Sequence, residues 1–174
     1  VCCGYFYLKN APDLPALQKE NKRLLDEIYL FDVLRSDRSI SSNGLEPRTP
    51  FLDKKFVQYY YSLSPDFKQF DGRNRIEKYI LRKAFDNENI LPNDVLWRNK
   101  CAFSDGVSKK NKSWHTIIKS YIDTIVTNEE FIKKSKNYSH CQPISKESYY
   151  YRKVFEKYFG HHDYLIPHFW MPRW

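Results

Sequence analysis

The chain has 174 residues, 41% apolar and 17% aromatic, with 29 basic against 21 acidic residues and a formal charge of +8. That length buries roughly 70% of the unfolded surface, and the aromatic content belongs to a packed interior, which excludes a disordered chain. No apolar run is long enough to cross a bilayer and no signal-peptide pattern is present, so the expectation is a cytoplasmic protein without membrane partners.

In chain order, the first expected element follows an aromatic stretch (Tyr5, Phe6, Tyr7, Leu8) and a turn at Asn10-Ala11-Pro12. Asp13 suits an N-cap, with Pro15 tolerated in the first turn. Leu17, Leu24, Ile28, Phe31 and Leu34 then recur at helical spacing and predict one helix running to about Ser36. At about 100° per residue, Ile28, Asp32 and Arg35 share a face of it. An acid and a base at the apolar end of the stripe would pair, since an unpaired buried charge is costly.

Gly44 allows a chain reversal, and Pro50 with Asp53 introduces a second helix with Phe56, Val57, Tyr60 and Leu63 inward, ended by Pro65. Asp71-Gly72 is a turn signal. Ile76, Ile80, Leu81 and Ala84 mark a third helix, in which Glu77 is read by spacing alone and not as an ion pair. A short helix opens at Pro92, with Trp97 expected to plug the core. Arg98 to Lys112 has no period and reads as a basic loop, the kind of segment on which catalytic groups are mounted.

From Ser113, the set Trp114, Ile117, Ile118, Tyr121, Ile122 and Ile125 predicts an amphipathic helix explained by core packing. Glu129 to Lys136 suits one or two helical turns, and Asn137 to Pro143 a loop. Ser145 caps a last long helix with Tyr151, Val154, Phe155 and Tyr158 inward, stopped by Gly160. The Tyr149-Tyr150-Tyr151 cluster reads as packing and surface. The aromatic, proline-rich tail from His161 to Trp174 is expected to lie against the body as a clasp. No alternating strand pattern is found, so the fold class is mainly α.

Cys2, Cys3, Cys101 and Cys141 form no paired framework and are expected to stay reduced. His140-Cys141 and His161-His162 lack metal-ligand spacing, so no metal site is assigned. The positive charge suits a nucleic acid or an anionic nucleotide with its pyrophosphate. Apart from Lys109-Lys110 and Lys112 the lysines are dispersed, and charge alone does not choose.

The motifs do. Phe31-Asp32-Val33-Leu34-Arg35 and Gly44-Leu45-Glu46-Pro47-Arg48-Thr49-Pro50-Phe51-Leu52-Asp53 stand in order with Glu77-Lys78, Arg82, Leu96-Trp97-Arg98-Asn99-Lys100, Phe103-Ser104-Asp105-Gly106-Val107 and His168-Phe169-Trp170-Met171-Pro172-Arg173-Trp174. From Gly4 to Trp174, this resembles the synthetase domain of the glutamine-hydrolysing asparagine synthetases, the eukaryotic form most closely. The resemblance implies that the chain, which begins at Val1, is a fragment: the C-terminal helical part of an α/β nucleotide-binding domain of the PP-loop ATP pyrophosphatase kind. The family's upstream Ser-Gly-Glu-Gly-Ser-Asp-Glu signature, its phosphate loop and its N-terminal glutaminase domain are not in this sequence.

The implied activity is an ATP-dependent amide ligation. Aspartate attacks the α-phosphorus of ATP to give β-aspartyl-adenylate and pyrophosphate, and glutamine-derived ammonia displaces AMP. Lys100 matches the lysine of the family's Trp-Arg-x-Lys motif, a contact to pyrophosphate and intermediate. Asp32 and Arg35 match a helix-borne pair near substrate and pyrophosphate. Glu46 and Arg48 divide between bracing and substrate contact, and Ser104, Asp105 and Gly106 shape the lysine loop. Magnesium accompanying ATP would be held by upstream acids. Implied partners are aspartate, ATP, ammonia and the remaining synthetase and glutaminase domains, with room for a homodimer and none for nucleic acid or membrane.

This sequence departs from the family at Cys101, where glutamate usually follows the motif lysine, and at Pro47 and Thr49 in the Leu-Glu-x-Arg-Val-Pro run. Two other readings stand beside the ligase. One is a basic helical nucleic-acid-binding module, and the other a relative that kept the fold and lost catalysis.

Overall fold

A computed structural model describes residues 4–102, 106–108 and 112–174. No β-strand occurs among them, and no helix is long and apolar enough to cross a membrane. Contacts divide the chain into two units, Val1–Lys100 with Trp170–Trp174, and Cys101–Phe169.

The first unit opens with a 3-10 turn, Phe6–Asn10, which buries Leu8. Helix α1 (Leu14–Asp26) starts as its residues dictate: the Asp13 carboxylate accepts the Ala16 N–H at 2.7 Å and Pro15 occupies the first turn. Leu8, Leu17, Leu24 and Phe70 form the core, with Tyr5, Tyr7, Trp170 and Trp174 packed on it. Trp170–Trp174 therefore does fasten onto the body, whereas His161 to Phe169 belongs to the second unit.

The long first helix expected to reach Ser36 is broken. After α1 the chain makes a 3-10 turn, Ile28–Leu30, and Phe31 leaves helical geometry with ψ −87° before α2 (Asp32–Ser41) begins. Ile28, Phe31 and Leu34 are spaced by three, which suits a 3-10 turn as well as an α-helix, so their periodicity could not reveal the break. Asp32 consequently opens a helix rather than ending one, where a carboxylate is favoured by the exposed N–H groups.

Helix α3 (Lys54–Ser62) is capped by Asp53, which accepts the Phe56 N–H at 3.0 Å, and it buries Tyr60. It stops at Ser62. Pro65 does not end it but opens the next short helix, α4 (Pro65–Lys68). The Asp71-Gly72 turn is formed: Asp71 Oδ1 accepts the N–H groups of Arg73 and Arg75, and Gly72 adopts φ +74°. Helix α5 (Tyr79–Ala84) is shorter than its apolar spacing predicts, because Lys78 sits in the left-handed region at φ +60° and Ile76 lies outside. In α6 (Asn93–Leu96) it is Leu96 that is buried. Trp97 is only half-buried, its indole N–H donating to Asp86 at 2.8 Å.

In the second unit, Ser113 caps α7 (Trp114–Ile125), Thr127 caps α8 (Asn128–Lys134), and a Ser145–Ser148 capping box starts α9 (Lys146–Phe159). Gly160, at φ +59°, ends α9. Ile122, Val126 and Tyr149 form the core, with Ile118, Phe131, Tyr138 and Tyr150 against it. Two expected inner faces are corrected. On α7 only the Ile118–Ile122 line packs inward, leaving Trp114, Ile117, Tyr121 and Ile125 exposed. On α9 the buried side runs through Tyr149 and Arg152, while Tyr151 and Tyr158 face outward. The reason on α9 is polar satisfaction. Tyr149 donates to Glu130 at 3.0 Å, and Arg152 reaches Asp163 at 2.8 Å and the His140 carbonyl at 3.3 Å.

Candidate active site

The lysine predicted to meet a phosphate is held by its backbone. Glu77 is only 2% exposed, and its Oε1 accepts the Lys100 N–H at 2.7 Å and Arg82 Nη2 at 3.0 Å. Arg82 completes the clamp by donating to the carbonyls of Glu77 and Leu96. This corrects the reading of Glu77 as spacing without an ion pair. A carboxylate so deeply buried requires a cation and hydrogen bonds to offset its lost hydration.

Asp32 stands at the first position of α2. It accepts Arg35 Nη2 at 2.5 Å and the phenol of Tyr5. The pair is wetter than expected, with side-chain exposures of 43% for Asp32 and 74% for Arg35. Burial, the hydrogen bond to Asp32 and the charge of that carboxylate all push the Tyr5 phenol above its ordinary range. Tyr5 is therefore a neutral donor at physiological pH.

Tyr5, Asp32, Arg48, Lys78 and Lys100 line one cavity of about 730 Å³, with Ile28, Val33, Phe51, Leu52 and Leu81 supplying apolar wall. Lys100 Nζ lies 5.7 Å from the Tyr5 ring centroid and 5.5 Å from that of Phe6. Gly4 also lines the cavity. A Cβ there would stand 3.2 Å from Lys78 Cε, so the bare backbone leaves room for the lysine stem. Arg48, Lys78 and Lys100 face Asp37 and an Asp32 already committed to Tyr5 and Arg35, which favours an anionic guest. The size is that of a small-molecule site.

The cavity thus gathers Asp32, Arg48 and Lys100 from separate stretches of sequence. Arg35 is not among its lining residues and meets it through Asp32. Glu46 also lies outside the lining, paired with Arg48 at 3.2 Å with both side chains largely exposed. Ser104 and Asp105 fall outside the described residues, as do Cys2, Cys3 and Lys109-Lys110. Among the described residues, no group of three or more His, Cys, Asp or Glu is placed to hold a metal ion.

The family model described as asparagine synthase matches residues 8–174. The chain belongs to the asparagine synthase family. It is 47% identical over 171 residues to a Gallus gallus protein named asparagine synthetase (glutamine-hydrolyzing), an alignment covering 98% of this chain and 30% of the relative. Proteins of the same name from Bos taurus and Homo sapiens are 45% and 43% identical over 172 residues, again covering 98% of this chain and 30% of each relative. The chain thus spans about 30% of the length of these asparagine synthetases.

Sequence reasoning left Tyr5, Glu77, Lys78 and Arg82 out of the site. Glu77-Lys78 and Arg82 stood among the motifs that carried the resemblance, which was the available signal. Tyr5 gave none, since an aromatic in an aromatic stretch reads as core. Cys101, where the family usually has glutamate, is exposed, with its thiol donating to the Ala102 carbonyl at 3.5 Å.

Proposed function

We propose that this chain is the C-terminal part of the synthetase domain of a cytoplasmic, glutamine-hydrolysing asparagine synthetase, packing beside an α/β nucleotide-binding sheet of the PP-loop kind. The phosphate loop and glutaminase domain belong to the remainder of such an enzyme, and the assembly is a homodimer. The observation that carries the reading is the shared, cation-rich cavity on which Asp32, Arg48 and Lys100 converge.

The chemistry follows from the charges. When an aspartate carboxylate attacks the α-phosphorus of ATP, negative charge grows on the equatorial oxygens and on the departing pyrophosphate. A preorganised cation in a partly enclosed hollow stabilises that charge more than it stabilises the ground state. Lys100 is the group for this role, its backbone fixed by Glu77 while its ammonium is free to follow the charge on a flexible stem. Arg48 and Lys78 add positive potential along the wall. Asp32, held by Arg35 and Tyr5, meets the amino group of aspartate. Arg35 acts through Asp32, and Glu46 orients Arg48.

ATP enters this scheme with magnesium. The Asp32 oxygens already accept from Tyr5 and Arg35, a donor set unsuited to a divalent ion, so magnesium ligands are assigned to the remainder of the domain and no step is routed through them here.

The decisive experiment is Lys100→Ala in the complete enzyme. Asparagine formation falls by about two orders of magnitude, while glutamine hydrolysis continues. Synthesis at the wild-type rate removes Lys100 from the mechanism.

A further inference from the structure

The last five residues reach the cavity without lining it. Glu20, fully buried in α1, accepts Arg23 Nη2 at 2.6 Å, the Tyr7 phenol at 2.6 Å and Arg173 Nε at 2.9 Å. Arg23 also donates to the Met171 carbonyl at 3.2 Å, and the Trp174 indole N–H donates to the Tyr7 carbonyl at 3.0 Å. The tail is thus pinned on both sides of Pro172. Between these pins and the cavity stands one ring. Trp170 lies 5.5 Å from the Tyr5 centroid at 37° and 6.0 Å from that of Tyr7 at 74°.

Tyr5 then carries the contact inward. Its hydroxyl donates to Asp32, and its ring lies beside the Lys100 ammonium. A tyrosine ring pressed by an indole on one side cannot swing without breaking the bond to Asp32 on the other. Such packing is how a first layer of reacting groups keeps its geometry.

We propose that Trp170 is a positioning residue for this site: the pinned tail holds its indole against Tyr5, and Tyr5 in turn sets Asp32 and the wall that Lys100 faces. The catalytic consequence rests on the function proposed above, whereas the mechanical part does not. Trp170 touches no reacting atom and acts through Tyr5.

The test uses the complete enzyme with Trp170→Ala and Trp170→Phe, and two readouts. The first is asparagine synthesis: Trp170→Ala lowers kcat by about tenfold with little change in KM, and Trp170→Phe, which keeps a ring, restores most of it. The second needs no substrate. In protein labelled with 13C at the tyrosine Cζ, Tyr5 is identified by its loss in Tyr5→Phe. Wild-type Tyr5 ionises at higher pH than an ordinary phenol, because burial and Asp32 hold its proton, whereas in Trp170→Ala its titration moves down toward ordinary phenol behaviour. If Ala loosens the whole tail, seen as lost near-UV circular dichroism, Trp170→Leu keeps the volume and removes only the ring. An unchanged Tyr5 resonance and titration in the ring-less variant overturns the proposal. A wild-type enzyme that makes no asparagine overturns the function instead, and the Tyr5 titration still decides the role of Trp170.

Discussion

The backbone N–H of Lys100 donates to the carboxylate of Glu77, 23 residues earlier in the chain, at 2.7 Å. A buried acid thereby sets the starting point of the side chain assigned to the phosphate chemistry. Replacing Glu77 by Ala leaves Arg82, whose side chain is 16% exposed, without its carboxylate. The expected loss is about 3–5 kcal/mol in urea unfolding, because the remaining charge stays buried. Glu77→Gln, which can still accept both hydrogen bonds, is expected to lose roughly half as much.

Arg35 offers the opposite case. Its pair with Asp32 is short but wet, and exposed pairs contribute about 0–1 kcal/mol. Arg35→Ala should therefore leave the urea midpoint almost unchanged while lowering synthesis through a less constrained Asp32. A loss above about 2 kcal/mol would make Arg35 a structural brace instead.

Acid should loosen the tail. Burial raises the Glu20 carboxyl, but the hydrogen bonds from Arg23 and Tyr7 and the charges of Arg23 and Arg173 outweigh it and hold the carboxyl below its ordinary 4.5. A depressed carboxyl stabilises the fold above its unfolded value, and that contribution is lost as pH falls through the folded one. Thermal unfolding followed from pH 7 downward should show wild type losing stability below about pH 4.5, and Glu20→Gln losing correspondingly less over the same window. Parallel curves would remove Glu20 as the acid-sensitive pin.

Helix α7 separates packing from pattern. Ile122 is 2% exposed and Ile125 41%. Ile122→Ala should cost about 2–5 kcal/mol and Ile125→Ala well under half of that. Equal losses in chemical denaturation would mean that the outer stripe is covered after all.

Much of the fold was legible from local rules. Asp13 and Ser145 cap the helices they were expected to cap, the helices expected after Asp53 and from Ser113 begin there, Gly160 ends the last one, and Asp71-Gly72 turns. These assignments rest on interactions within four residues, which the order of side chains determines by itself. The family was equally legible, because motifs kept in order over nearly the whole chain do not require knowledge of their contacts.

Other features depended on distant partners. The pairing of Glu77 with Arg82 and Lys100, the tilted ring contact of Trp170 with Tyr5, and the choice of Arg152 over Tyr151 for the inner face of α9 all follow from what lies opposite once the chain has packed. Apolar spacing states which side chains can be buried together. Which of them are buried, and which charges must come inside to meet a partner, is settled by the free energy of the assembled interior. The tertiary structure therefore decided where α1 breaks, which stripe of α7 stays wet and how a tail tryptophan comes to lean on the wall of the site.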